Sequence, residues 1–372
     1  MKIPLSAPDI SETEIEAVVE VLRGTQLSRG PKVEAFEGAI ARYVGVPYVV
    51  AVNSGTSAMH LCLRGLGIEA GDEVIVPSFT FVAVANAVRY ERATPVFVDI
   101  EPHTLNLDPE KVEAAITPRT KAIIAVHTFG VPAEMDAIIE IARRHSLWLV
   151  EDACEAIGAE YRGHKVGTFG DAAAFGFYPN KQITTGEGGV LVTGNPELAT
   201  RARSLRNHGR DEGDPRHQEL GFNYRIADLN CALGLAQVGR IEGILARRAH
   251  VARKYDAALR DVPGLILPPI ELPGKRISWF VYVVRLAESF TEADRDFVAD
   301  VLRAAGTGSG KYFSPIHQQP AYRNAAVPYP LTVTEQVGAR TLALPFFNRI
   351  TDEQIDEVCD GLRAALEKVK HV

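Results

Sequence analysis

Apolar residues recur along this chain with two periods. At Ile15, Val18, Val19 and Leu22 they return every three or four positions, and Ser11 with Glu14 forms a capping-box pattern ahead of them, which predicts a helix over 11–23. A second helix is expected over 32–44. From Tyr48 onward, short β-branched runs alternate with helical stretches. Strands are predicted at 48–52, 74–76, 96–98, 122–126, 147–150, 172–177 and 190–193, and helices at 57–66, 82–90, 109–116 and 135–145. Such alternation predicts crossover units on a mainly parallel central sheet covered by helices, an α/β fold. A helical pattern then runs over 227–259 with little interruption. Beyond it a smaller C-terminal α/β unit is expected, with a strand at 279–284 and helices at 291–305 and 352–369. At 372 residues the chain exceeds the size at which one core stops growing. Two domains are expected, residues 1–240 and 241–372.

Composition narrows the function. Hydrophobic residues make up 46% and charged residues 23%, values of an ordinary globular protein rather than a disordered one. A net charge of -7 argues against a nucleic-acid binder, which needs basic surface to displace counterions. Cys62, Cys154, Cys231 and Cys359 are widely spaced, so neither a zinc site nor a disulfide framework is expected, and no metal is. The start MKIPLSAPDI lacks an apolar signal core and no apolar run is long enough for a bilayer, so no membrane partner is expected and the reading is cytoplasmic.

In parallel sheets the ligand sits beyond the carboxyl ends of the strands, and the residues there carry the candidate chemistry. After the first strand comes NSGTS at 53–57, where a helix start with free N–H groups and hydroxyls can cradle a phosphate; the same residues also make an ordinary helix cap. After the second comes PSFTF, which brings Phe79 and Phe81 to that edge for stacking or for packing. His127 follows a strand as a satisfied buried imidazole. Glu151, Asp152 and Glu155 follow another, and Asp152 is placed either to keep a ring nitrogen protonated or to cap a helix. Between the last two strands, FGFYPNKQITTGEGG confines Lys181 in a glycine-punctuated turn. A lysine in semi-apolar surroundings becomes a usable amine, as Schiff-base chemistry with an aldehyde cofactor requires. Arg29 lies on an early polar loop, and Arg201, Arg203, Arg206, His208 and Arg210 form the most basic run. GTGSGK at 306–311 mimics a nucleotide loop, but Ala305 and Tyr312 stand where that motif needs Gly and Ser or Thr. It reads as a mobile loop leading to Tyr312 and His317, candidates for substrate contact.

Taken together, SRGPKVEAFE, NSGTSAMHL, GDEVIVPSFTF, VEDACEAIGA, PNKQITTGEGG and GFNYRIAD resemble the DegT/StrS-type sugar aminotransferases, a branch of the fold-type I pyridoxal phosphate enzymes. The likeness covers most of residues 28–230. It implies that Lys181 carries pyridoxal 5'-phosphate as a Schiff base, that Asp152 pairs with the pyridinium nitrogen, that Phe81 stacks on the ring and that Gly55 and Thr56 bind the phosphate. It further implies a homodimer with shared active sites, in which GFNYR delivers Asn223, with Arg225, to the neighbour's cofactor. The implied donor is an amino acid, glutamate by family habit, and the acceptor a nucleotide-linked keto sugar, with Arg29, Tyr312 and His317 as available grips. Two positions depart from the pattern. Many relatives have glutamine or histidine at the place of Glu155, where contact with the cofactor is expected, and serine at the place of Gly176. Sugar dehydratases of the same fold replace the lysine with histidine, so Lys181 argues against that reading. Two rival functions stand beside it: amination of a keto cyclitol, and regulation by a protein that binds the cofactor without turnover.

Overall fold

The computed structural model describes residues 1–369. Its centre is a seven-stranded sheet. Five of its strands come first in the chain: β1 (Tyr48–Val52), β2 (Glu73–Pro77), β3 (Thr94–Val98), β4 (Thr120–Val126) and β5 (Trp148–Asp152). A small hairpin, β6 (Glu160–Tyr161) and β7 (His164–Lys165), precedes the last two, β8 (Ala172–Gly176) and β9 (Gly189–Thr193). The order across the sheet is β1-β9-β8-β5-β4-β2-β3. Pairing is parallel from β3 through β8, while β9 runs antiparallel to both β8 and β1. The alternation expected from the sequence holds through β5; between β5 and β8 the chain makes the small hairpin and no helix. The connection carrying Lys181 forms no crossover helix, and β9 returns antiparallel.

Alternate residues of each strand serve opposite faces, because side chains in a strand point to either side in turn. Val50, Val52, Val76, Ile124 and Val126 pack into one layer. Val49, Ala51, Ala173 and Phe175 face another, and Ile75, Ile123 and Leu149 a third. Helices cover these layers: α1 (Glu12–Arg23), α2 (Pro31–Val44), α3 (Gly55–Gly65), α4 (Ala83–Tyr90), α5 (Pro109–Ala114), α6 (Met135–Arg144), α7 (Pro196–Leu205) and α8 (Asp228–Gly239). The capping box read at the start of α1 is present, with the Ser11 N–H donating to Glu14 Oε2 at 2.7 Å.

The single helix expected over 227–259 is two. It breaks at Arg240, whose φ of -112° and ψ of 3° leave the helical region. Gly239 ends α8, and the Arg240 guanidinium turns to Glu14 and Ser11. The next helix, α9 (Ile241–Leu259), belongs to two cores: Ile241, Ile244 and Leu245 pack with the large sheet, whereas Val251, Tyr255 and Leu259 pack in a second cluster. That cluster is built on β10 (Leu265–Ile266), β12 (Tyr282–Leu286) and β13 (Thr341–Leu344), with α10 (Glu292–Ala304) and α12 (Asp352–Val369) against them. Strand β11 (Lys275–Arg276) instead joins the small hairpin, and α11 (Thr332–Arg340) leads into β13.

Residues 306–311 are not a loose loop. Lys2 and Ile3 donate their N–H groups to Gly306 O at 2.8 and 3.1 Å, Gly308 donates to Ile3 O at 2.8 Å, and Gly310 exchanges two backbone bonds with Ala343. The glycines are there for close approach: a Cβ on Gly308 would lie 2.5 Å from the Leu5 nitrogen. No helix among the described residues is long and apolar enough to cross a membrane.

Candidate active site

Four strand ends meet at one edge of the sheet. Val126 pairs with Asp152, Asp152 with Ala174, Gly176 with Gly189 and Gly189 with Val52. The residues that follow Val52, Val126, Asp152 and Gly176 are therefore brought together by register.

After β1 the chain bends into α3 through a tight passage. A Cβ on Gly189 would lie 2.5 Å from the Ser54 carbonyl carbon, and one on Gly55 would lie 2.9 Å from Cys154 Sγ and 3.1 Å from Gly176 Cα. Glycine at these positions lets the helix start sit directly on the strand ends. Ser54 caps α3 by accepting the Ser57 N–H at 3.0 Å, and the Ser57 hydroxyl donates to Asn53 Oδ1 at 2.7 Å. Both serines are thus spent on the cap, and the half-buried Gly55 and Thr56 are left at the helix start, whose first N–H groups lack partners within the helix. A Cβ on Gly176 would sit 3.4 Å from Cys154, an ordinary contact, so packing does not dictate the loss of a side chain there.

The turn between β8 and β9 is held by its own backbone and hydroxyls. Phe177 donates to Gly188 O at 2.9 Å, Thr185 to Phe177 O at 3.0 Å and Lys181 to Tyr178 O at 2.9 Å, while Thr184 Oγ1 donates to Phe177 O at 3.0 Å. From this frame the Lys181 amine reaches Glu155 Oε1 at 3.3 Å and lies 3.9 Å from the centre of the Phe280 ring. The sequence suggested semi-apolar walls around the amine. Instead it meets a carboxylate and an aromatic face, because Glu155 and Phe280 arrive from segments distant in the chain. The Lys181 side chain is 14% exposed and that of Glu155 10%. Glu155 Oε2 accepts the Phe129 N–H at 3.0 Å. Burial pushes the Glu155 carboxyl above the usual range and the Asp152 charge pushes the same way; the Lys181 charge and the Phe129 N–H oppose them.

Asp152 is half-buried at the end of β5, and its Oδ1 accepts the Cys154 N–H at 3.0 Å. Burial and the Asp152 charge push the neighbouring Cys154 thiol up. One residue earlier, Glu151 is fully buried and fully engaged. It takes His127 Nε2 at 3.0 Å and the N–H groups of Gly167, Phe169 and Gly170 at 2.7, 2.8 and 2.8 Å. His127 is the satisfied buried imidazole expected, with Nδ1 accepting the Ala133 N–H at 3.1 Å.

Phe280, Phe129 and Tyr312 form an aromatic wall at the amine, with Tyr312 centred 6.2 Å from Phe280 and 6.4 Å from Phe129. Tyr312 is the substrate-contact candidate of the sequence; Phe280 and Phe129 carried no signal beyond being apolar near strands. Gln182 was also missed. Its Nε2 donates to Glu155 O at 2.6 Å and Ser278 O at 2.9 Å and so ties the lysine turn to the segment bearing Phe280. Of the two phenylalanines after β2, Phe79 is fully buried against Phe129 and Phe313, and Phe81 is 59% exposed.

The remaining candidates stand further apart. His317 has both ring nitrogens occupied, by Ser78 Oγ at 2.7 Å and Glu335 Oε1 at 3.0 Å, so it fastens its loop to the end of β2 and offers no free edge. Arg29 lines a cavity of about 370 Å³ with Arg210 and Arg225, and Arg225 donates to Asn207 Oδ1 at 3.1 Å. Arg203 and Arg206 line the same cavity while donating to Val49 O at 3.3 Å and Ala51 O at 2.7 Å, and Arg201 pairs with Glu219 at 3.0 Å. Asn223 is exposed, and its own carbonyl accepts from Asn53 at the cradle at 3.3 Å.

Residues 8–363 match the model of the DegT/DnrJ/EryC1/StrS aminotransferase family. The chain belongs to this family. It is a pyridoxal phosphate-dependent aminotransferase of fold type I. The GDP-perosamine synthase of Caulobacter vibrioides is 43% identical to it over 99% of this chain and 98% of the relative. Among solved structures, DesV of S. venezuelae superposes with a TM-score of 0.91 at 37% identity, covering 98% of this chain and 99% of DesV. Spr1654 of Streptococcus pneumoniae, solved in its PLP-form, superposes with a TM-score of 0.94 at 28% identity over 99% of this chain and all of that one.

The residues at the strand ends fit the family cofactor. An amine, an aspartate with one oxygen engaged, and a helix start stripped of Cβ at Gly55 match its aldehyde, ring nitrogen and phosphate in kind. Asn180, beside the amine in the chain, has a buried Oδ1 with no partner among the described residues. Among the described residues no group of three or more His, Cys, Asp or Glu is arranged to hold a metal.

Proposed function

We propose that this aminotransferase moves the amino group of an amino acid, glutamate by family habit, to a keto sugar linked to a nucleotide, with Lys181 as its working amine. The observation that carries the reading is the buried contact of Lys181 with Glu155 at the strand edge that also ends in Asp152. Pyridoxal phosphate supplies the aldehyde that takes up the amine and the ring that draws electrons from the reacting carbon. The chain does the rest. Asp152, with one oxygen uncommitted, holds a proton on the ring nitrogen. Gly55 and Thr56 at the start of α3 receive the phosphate, and the exposed Phe81 covers the ring face. With the cofactor bound, Lys181 would be the base that takes a proton from the donor α-carbon and gives it back. The wall of Phe280, Phe129 and Tyr312 keeps water from that exchange.

Asn223 and Arg225 serve the neighbouring subunit's phosphate in a homodimer. The exposed Asn223 and the exposed apolar Ile15, Leu22 and Phe81 support this assembly. Mixing inactive Lys181→Ala with inactive Asn223→Ala protein restores activity, because one hybrid site has both residues intact. No recovery after demonstrated subunit exchange returns Asn223 to its own chain.

The nucleotide is the handle. A keto sugar alone offers few groups for strong binding, whereas a diphosphate gives Arg29 and its neighbours charges to grip. The 43% identity to a GDP-perosamine synthase supports a nucleotide-linked acceptor. Stopped-flow oxidation of the aminated enzyme by matched free and nucleotide-linked keto sugars tests this. The expected specificity constant falls by about three powers of ten, ~4 kcal/mol, when the nucleotide is removed; equal constants point to a free keto sugar or keto cyclitol.

A further inference from the structure

Lys181 and Glu155 form a buried pair whose geometry goes beyond anchoring. An amine reacts through its lone pair, which the ammonium lacks. In most sites the surplus proton goes to water. Here its departure would strand the Glu155 carboxylate, only 10% exposed, without its opposite charge, and an unpaired buried charge is costly. A shorter route exists: Glu155 Oε1 lies 3.3 Å from the amine nitrogen, while the second oxygen, Oε2, is already committed to the Phe129 N–H.

We propose that Glu155 is the internal base that takes the proton from Lys181 and holds it beside the amine for return. One Nζ–H bond breaks and its electron pair stays on nitrogen as the lone pair; one Oε1–H bond forms from a carboxylate lone pair. The ammonium–carboxylate pair becomes an amine and a carboxylic acid, net charge is zero before and after, and no further reactant enters. A buried site tolerates both forms, since neither leaves a lone charge.

The groups facing Glu155 act consistently with this. Asp152, at the end of β5, places a negative charge that favours the protonated carboxyl; Tyr312 and Cys154 add only neutral neighbours at physiological pH, their own ionisation being opposed by burial. The Phe129 N–H is the single backbone donor opposing the transfer, and it bonds the oxygen that does not receive the proton. Burial pushes the Glu155 carboxyl up, in the direction the transfer needs.

The inference rests on Lys181 being the working amine, and the experiment separates the two. Full-length cofactor-free protein, its fold checked by circular dichroism, is labelled with trace acetic anhydride at about pH 6 to 8, and acetylation of Lys181 is followed by mass spectrometry against a free reference amine. An amine that exchanges its proton internally has a constant reactive fraction, so native Lys181 is expected to change by less than about twofold per pH unit. In Glu155→Gln the reactive fraction depends on solvent protons and climbs about tenfold per unit. Glu155→Asp, which keeps a carboxylate at shorter reach, falls between. A tenfold climb in the native protein overturns the proposal without any variant. Borohydride reduction of the loaded enzyme is read separately: an adduct on another lysine removes Lys181 from the reaction, whatever the labelling profile.

Discussion

Glu151 and Glu155 are four residues apart, both buried at the same strand end, and differ in how many donors they meet. Glu151 has four: an imidazole and three backbone N–H groups. Glu155 has a single backbone N–H and the Lys181 amine. A fully partnered buried carboxylate fixes the positions of its partners, here the 167–170 segment that leads into β8. One with fewer partners keeps proton-accepting capacity, and in a dry site that capacity is chemistry held in reserve. Asp152, between them with a single N–H contact, belongs with Glu155.

Three substitutions test that division. Asp152→Asn is expected to have the largest effect: turnover falls about a thousandfold, ~4 kcal/mol, with the thermal transition nearly unmoved, since the amide still accepts the Cys154 N–H but cannot hold a proton on the ring nitrogen. Assays of each half-reaction check it, and near-native turnover would make Asp152 a mere cap. Glu151→Gln should do the reverse. Its amide turns donors toward donors and costs about 3 kcal/mol of stability by urea unfolding, while the protein that remains folded keeps its turnover. Lost activity without lost stability would erase the distinction between the two glutamates.

The smallest effect is the pH dependence of stability. Glu155 has a folded-state proton affinity raised above its unfolded value, chiefly by burial. Between the two values the folded state binds more protons than the unfolded state, so its contribution is complete below the unfolded pKa and is lost as pH rises through the folded one. The difference in melting temperature between native protein and Glu155→Gln, both without cofactor, should therefore shift against the native protein as pH rises from the carboxylate range toward neutrality. A pH-independent difference would remove the carboxyl's titration as its cause.

What the sequence made legible follows from locality. Strands β1 to β5 show themselves through runs of Val and Ile, and the positions of Lys181, Asp152 and the helix start at Gly55 and Thr56 through their places at strand ends. Phe280 under the amine, and the capture of His317 by Ser78 and Glu335, depend on contacts between residues far apart in the chain, which no periodicity encodes. The break at Arg240 escaped for a related reason. The apolar pattern continues across it, and beside Gly239 the break is marked by the Arg240 side chain's pull toward Glu14, more than two hundred residues earlier. The reverse error occurred at 306–311, where glycine content suggested mobility and the structure uses glycine to let two backbones lie side by side.

The pairing of residues 306–308 with the amino terminus also bears on how the protein is made. Ile3 leaves the ribosome some three hundred residues ahead of its bridging partner Thr307. At about 5–20 residues per second the wait is roughly 15–60 s. Throughout that interval the large sheet can assemble, while the first few residues have no strand to join. Residues 2 and 3 are thus among the last parts of the described chain to find their partners.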